Sequence, residues 1–134
     1  MEKRFELSAS SEVLSPFRKE LRQILSAEGW EKKSVDEILL AVDEALTNII
    51  RYAYQGKPGK MTISIFASDD KIEIVIEDQG KKFDPTQVPP PELPRQKPGG
   101  LGVHFIKTIM DHVVYEGHKV EGNRLRLIKH KKKI

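Results

Sequence analysis

Residues 61–80 read MTISIFASDDKIEIVIEDQG, and the alternation in this stretch decides the fold. Met61, Ile63 and Ile65 alternate with Thr62 and Ser64, and Ile72, Ile74 and Ile76 alternate with Glu73, Val75 and Glu77. A period of two puts each isoleucine set on one side of a strand, the side that a core must cover. Asp69-Asp70 supplies the turn between the two runs. The stretch is a hairpin whose isoleucines face the rest of the molecule. Asp78 shares the parity of Ile72, Ile74 and Ile76, so its carboxylate points toward the buried face.

Upstream, the period changes from two to the helical one. Phe5 and Leu7 flank Glu6 in a short first strand over 4–8. Leu14, Phe17, Leu21, Ile24 and Leu25 then form one helical stripe. Pro16 is tolerated only in a first turn, so this helix starts between Ser10 and Ser15, and Gly29 ends it. Ser34-Val35-Asp36-Glu37 reads as a capping box that starts a second helix. Its apolar face runs through Val35, Ile38, Leu39, Val42, Leu46, Ile49 and Ala53, and Gly56 and Pro58 stop it.

Downstream, residues 80–98 hold six of the chain's eight prolines, a density that neither helix nor sheet survives. A loop of that length inside a compact domain is usually functional, often a lid; an insertion without a role is the alternative. Gly99-Gly100-Leu101-Gly102 closes it and leads into a helix carrying Phe105, Ile106, Ile109 and Met110. Two last strands are predicted over 113–116 and 124–128. The order β-α-α-β-β-loop-α-β-β implies an α+β fold, a two-layer α/β sandwich with helices on one face of a mixed, largely antiparallel sheet.

The 134 residues fit a single domain, expected to span 1–134. No cysteine is present, which excludes disulfides, thiolate metal sites and a cysteine nucleophile. The longest apolar run, Ile38 to Val42, is too short to span a bilayer, and no signal peptide is expected. The net charge of +3 resides at the C-terminus: without Lys129, Lys131, Lys132 and Lys133 the balance of 23 basic and 20 acidic residues turns to −1. A solvated, frayed basic tail over 129–134 is the expectation. A nucleic-acid patch is not, because no aromatic residue is interleaved with the lysines.

Three constellations could carry chemistry. Glu44 and Asn48 stand one helical turn apart on the second helix, away from the apolar stripe. A carboxylate there can take a proton from a hydroxyl, and an amide oxygen can ligate Mg²⁺; a pair that simply faces water has the same spacing. Asp78-Gln79-Gly80 ends the hairpin. A carboxylate at the mouth of an apolar layer needs a donor, which the exocyclic amine of a purine would supply, and Gly80 would let the backbone approach a flat ring. An ordinary Asp-Gly turn has the same sequence. Gly99-Gly100-Leu101-Gly102 at a helix start exposes free N–H groups and the positive end of the dipole, which favours phosphate; a flexible hinge is the alternative. It is neither a Walker A loop nor the dinucleotide fingerprint. None of the four histidines shows metal-ligand spacing.

In this order along the chain, the three constellations resemble the boxes of the ATPase family that includes gyrase, the chaperone of ninety kilodaltons, histidine kinases and the mismatch-repair ATPases. Asp43-Glu44-Ala45-Leu46-Thr47-Asn48 is similar to its N-box, Asp78-Gln79-Gly80 to its first glycine box and Gly100-Leu101-Gly102 to its second. The resemblance covers about Phe5 to Lys129. Within that family, Glu44-Ala45-Leu46-Thr47-Asn48, Lys82-Phe83-Asp84-Pro85 and Leu101-Gly102-Val103-His104-Phe105-Ile106-Lys107 look like the versions found in anti-sigma-factor serine/threonine kinases. The chain is expected to be a lone domain without the dimerisation helices and phospho-accepting histidine of a histidine kinase.

The resemblance implies a Bergerat-type ATP-binding fold and a set of roles. Glu44 would be the general base toward a substrate serine. Asn48 would bind Mg²⁺ and so bridge the phosphates of ATP. Asp78 would accept from the adenine amine beside Gly80, with Phe83 nearby at the start of an ATP lid over 81–98. Gly99, Gly100 and Gly102, with the N–H groups of Leu101 and Val103, would hold the phosphates. Arg51, Arg95 and Lys97 could add positive charge. The implied partners are an anti-sigma-factor antagonist as substrate, a sigma factor and a second copy of the chain as a homodimer, in the cytoplasm, with no direct nucleic-acid or membrane contact. Two departures stand out: Lys81 and Lys82 replace a second glycine, and Gly122-Asn123-Arg124 stands where relatives often place a threonine near the adenine. A non-catalytic ATP-binding module and a stand-alone histidine-kinase-like domain are the rival readings.

Overall fold

The hairpin forms as its alternation requires. In the computed structural model, which describes residues 1–84, 106–117 and 122–131, β2 (Lys60–Ala67) and β3 (Lys71–Asp78) pair antiparallel with Ile63 opposite Ile76 and Ile65 opposite Ile74. The strand β1 (Glu2–Ser8) joins the free edge of β2. On the other side of β3 lies the last strand, β5 (Asn123–His130), and beyond it β4 (His112–Gly117). The sheet order is β1-β2-β3-β5-β4, and all four pairings are antiparallel.

One face of this sheet is covered by two helices, α1 (Leu14–Ala27) and α2 (Lys32–Asn48). Phe17, Leu21, Ile24 and Leu25 of α1 and Val35, Ile38, Val42 and Leu46 of α2 are buried against Met61, Ile63, Ile65, Ile72, Ile74 and Ile76. Each fully buried side chain of this size contributes about 1.5–3 kcal/mol, so this layer dominates the stability of the fold. A helical turn at 106–109 adds Ile106 and Ile109 to the same core. Pro16 sits in the first turn of α1, after a 3-10 turn at Ser11–Val13 that Ser10 caps. Among the described residues no helix is long and apolar enough to cross a membrane.

Three expectations are corrected. First, α2 starts at Lys32 with Glu31 as its N-cap, and Ser34 lies inside the first turn, so the capping box does not act as a cap. The cause is Trp30. It is buried and its backbone N–H donates to the Leu25 carbonyl at 3.1 Å, past a Gly29 at φ +85° that only glycine adopts easily. The chain must turn back at once, and the Val35 N–H closes the first turn on the Glu31 carbonyl at 2.9 Å. Second, the last turns of the second helix are π-helical, Ile49–Ala53, with the Tyr54 N–H on the Ile49 carbonyl at 3.0 Å. Third, the start of the basic tail is docked rather than solvated. The Lys129 ammonium donates to the Ile109 carbonyl at 2.8 Å. That of Lys131 donates to the Glu28 carbonyl and lies 5.5 Å from the centre of the Trp30 ring. These lysines tie the last strand to the helical layer, with the ammonium–indole contact adding a cation–π attraction.

Candidate active site

The π turn and the end of β3 are locked together, and this lock builds the site. The Lys81 N–H donates to the Ala53 carbonyl at 2.7 Å. The Tyr54 hydroxyl accepts from the Gln79 N–H at 2.8 Å and donates to the Lys60 carbonyl at 2.6 Å. Asp78-Gln79-Gly80 is thereby held against the helix that carries Asn48. Between them lies a small, largely apolar cleft. Ala45, Ile49, Ala53, Ile76 and Leu125 form its walls, and Asn48, Asp78 and Asn123 are its polar groups, with Phe83 and Tyr115 also lining it.

Gly80 is required here by the protein's own backbone. A Cβ at this position would lie 2.6 Å from the Ala53 oxygen and 2.7 Å from its carbonyl carbon, neither of which can yield. Gly80→Ala is expected to destabilise the protein by about 1–3 kcal/mol, read as a lower denaturant midpoint at unchanged slope.

Asp78 is 1% exposed. Its Oδ1 accepts from the Gly80 N–H and from Asn123 Nδ2, both at 2.9 Å. Asn123, 5% exposed, also donates to the Lys81 carbonyl at 2.9 Å. Its Oδ1 accepts from the Phe83 N–H at 2.8 Å and from the Tyr115 hydroxyl at 2.5 Å. Burial, and then the negative charges of Asp84 and Asp78, push the Tyr115 hydroxyl above the usual phenol range, so it stays protonated and donates. The Phe83 ring stacks on Tyr52 with centroids 4.8 Å apart, and the Arg51 guanidinium lies 5.9 Å from the Tyr52 centroid on the exposed surface.

Asn48 and Asp78 thus share one cleft, with Phe83 beside them. Glu44 is half-buried one turn before Asn48 and lies outside the residues that line the cleft. Its neighbour Asp43 is engaged elsewhere, accepting from Arg18 of α1 at 2.7 Å. Arg51 is not a cleft residue, and Gly80 lines a neighbouring groove that shares Ala53 with the cleft. Gly99, Gly100, Leu101, Gly102 and Val103 lie outside the described residues, as do Arg95, Lys97 and most of the 81–98 lid. Tyr52 and Tyr115 were not singled out from sequence, and Asn123 only as a departure. Parity could have found two of them: Asn123 alternates inward with Leu125 and Leu127, and Tyr115 with Val113.

The donor set fits a magnesium-bridged nucleotide. The Asn48 Nδ2 is buried with no hydrogen-bond partner among the described residues and the side chain caps nothing, so the fold does not commit this amide, whose Oδ1 is the end a hard cation would take. Among the described residues no cluster of three or more His, Asp or Glu could hold a metal ion. Any Mg²⁺ here would be held by the Asn48 amide oxygen and the phosphates of its ligand and would keep several of its waters, as suits an ion that dehydrates reluctantly.

Known proteins share this architecture. A family model described as a histidine kinase-like ATPase domain matches residues 7–129. The serine-protein kinase RsbW of Listeria monocytogenes is 32% identical over 117 residues, 81% of this chain and 74% of that protein. The serine-protein kinase RsbW of Staphylococcus epidermidis is 32% identical over 137 aligned positions, 95% of this chain and 85% of that protein. Among solved structures, the RsbU and RsbW domains of Rv1364c from Mycobacterium tuberculosis superpose with a TM-score of 0.69 at 15% identity. That match covers 99% of this chain and 33% of the longer one, and at this identity it shows the fold.

Proposed function

Because this chain belongs to the family of histidine kinase-like ATPase domains, we propose that it is an ATP-dependent serine/threonine protein kinase of the anti-sigma-factor type, as its RsbW relatives are named serine-protein kinases. The observation that carries this reading is the meeting of Asn48 and Asp78 in one apolar cleft. An acid buried at one point and an uncommitted amide on a helix at another suit the two ends of a purine triphosphate.

In this reading the adenine enters between Ala45, Ile49 and Leu125, and its amine donates to Asp78. Asn48 would hold Mg²⁺, which would supply charge neutralisation for the phosphates. Glu44, one turn away on α2, takes the proton of a substrate serine as its oxygen bonds to the γ-phosphorus and the bond to the ADP oxygen breaks. By the resemblance, glycines 99, 100 and 102, with the N–H groups of Leu101 and Val103, would hold the phosphates, and residues 81–98 would be the lid. Positioning and charge neutralisation are what phosphoryl transfer chiefly needs.

The substrate is a small anti-sigma-factor antagonist, and the same chain sequesters a sigma factor in the cytoplasm. A homodimer would use the sheet face opposite the helices, where Phe66 and Val114 are exposed.

Incubation with radiolabelled ATP, Mg²⁺ and a cognate antagonist is expected to put acid-stable label on an antagonist serine or threonine. ATP binding in a calorimeter without any transfer would make this a non-catalytic module and overturn the kinase reading. Acid-labile label on a histidine would overturn it in favour of a histidine-kinase-like domain.

A further inference from the structure

We infer that Asn123 is a positioning residue that sets the base-recognising carboxylate of Asp78 and the Phe83 wall of the cleft as one unit; this rests on the ATP site proposed above. Asn123 stands directly opposite Asp78 across the β3–β5 pair. A side-chain amide offers two N–H donors and an oxygen with two lone pairs. All four are used, the donors on Asp78 Oδ1 and the Lys81 carbonyl, the oxygen on the Phe83 N–H and the Tyr115 hydroxyl. The orientation of the amide is fixed by this set, because a flipped amide would turn its nitrogen to the Phe83 N–H and its oxygen to the Lys81 carbonyl.

Two consequences follow for ligand recognition. Asp78 Oδ1 is held by Gly80 and Asn123 together, so the plane of the carboxylate is set before any base arrives. The Phe83 backbone is held by the same amide, and its ring stacks on Tyr52 of the π turn. A shift of Asp78 therefore moves Phe83 as well. A threonine, with one hydroxyl, offers one donor and cannot serve both the carboxylate and the Lys81 carbonyl. The tie depends on the asparagine at this position.

The test is Asn123→Asp. The variant keeps its volume and its acceptors for Phe83 and Tyr115, loses both donors, and places a second carboxylate against Asp78. The titratable groups around it are Asp78 on β3, Tyr115 on β4 and Asp84 beyond Phe83, with Lys81 and Lys82 flanking on the loop. Calorimetric affinity for ATP is expected to fall about 10- to 100-fold near pH 8. It is expected to recover toward pH 6 or so, where one proton shared by the two carboxylates restores a donor between them. The KM for ATP rises with the lost affinity while kcat at saturating ATP stays within about threefold, since Glu44 and Asn48 are untouched; a merely weakened fold would lower kcat and show no such recovery. Tyr115→Phe removes one bond of the four and is expected to raise the KM for ATP roughly 2- to 10-fold. A folded Asn123→Asp protein that binds ATP as wild type does across this pH range overturns the inference. Should that variant not fold, an unchanged KM in Tyr115→Phe overturns it. Wild-type protein that fails to bind ATP sinks the nucleotide site itself, a separate result.

Discussion

Replacing Glu44 by glutamine is expected to lower phosphate transfer to the antagonist by about 10²–10⁴-fold while ATP binding stays within about twofold of wild type. Glutamine keeps the size and the hydrogen-bonding reach of the side chain and cannot take a proton. Two adjacent acids, Asp43 and Glu44, could in principle serve as base, and the structure separates them. Asp43 is held in an ion pair with Arg18 that clamps α2 to α1. Glu44 is free of such a pair among the described residues and stands one turn from Asn48, outside the walls of the cleft, where a partner's serine can reach it. Steady-state transfer and calorimetry on the same preparation check the split. A Glu44→Gln protein that phosphorylates at the wild-type rate would remove the base from the mechanism.

The sheet was legible because its signal is local. Each isoleucine in Met61–Ile76 is read against its immediate neighbours, and the parity that buries Ile74 also predicts the burial of Asp78, which is 1% exposed. The Glu44–Asn48 spacing was legible for the same reason, since helical geometry over one turn needs no tertiary information. What stayed hidden depends on contacts distant in sequence. Asn123 meets Asp78 across 45 positions, and Lys131 meets Glu28 across 103. The start of α2 departs from its local signal because the capping box at Ser34 competes with a tertiary constraint. Trp30 is buried and the α1–α2 turn is short, so the helix begins before the box can act.

The π turn shows how a local irregularity serves the site. Its hydrogen bonds run one residue further back than those of an α-helix, as the Tyr54 N–H on the Ile49 carbonyl at 3.0 Å shows, and the Gly56 N–H reaches further still, to the Ile50 carbonyl at 3.1 Å. Ile49 and Ala53 still line the cleft, while the Ala53 carbonyl is presented to the Lys81 N–H and Tyr52 to the Phe83 ring. No residue in Ile49–Ala53 announces this: there is no proline and no glycine within it. The widened turn is held in place by the hairpin end that packs on it, through Tyr54 and Gly80.

The second large effect is expected at that hairpin end. Asp78→Asn should weaken ATP binding by roughly 10²-fold and leave the melting temperature nearly unchanged. The asparagine oxygen can still accept from the Gly80 and Asn123 N–H groups that now meet Asp78 Oδ1. Those two bonds are therefore kept. The second oxygen becomes an N–H₂ group, and a donor then faces the donor that adenine presents through its amine. GTP carries a carbonyl at the same place on the ring, so its disadvantage relative to ATP should shrink in the variant. Paired titrations of the two nucleotides against wild type and Asp78→Asn separate this chemistry from general damage, which would weaken both alike. Unaltered ATP affinity in a folded Asp78→Asn protein would mean that the base is recognised elsewhere, because a neutral amide cannot replace a carboxylate as acceptor without cost in a cleft walled by Ile49, Ile76 and Leu125.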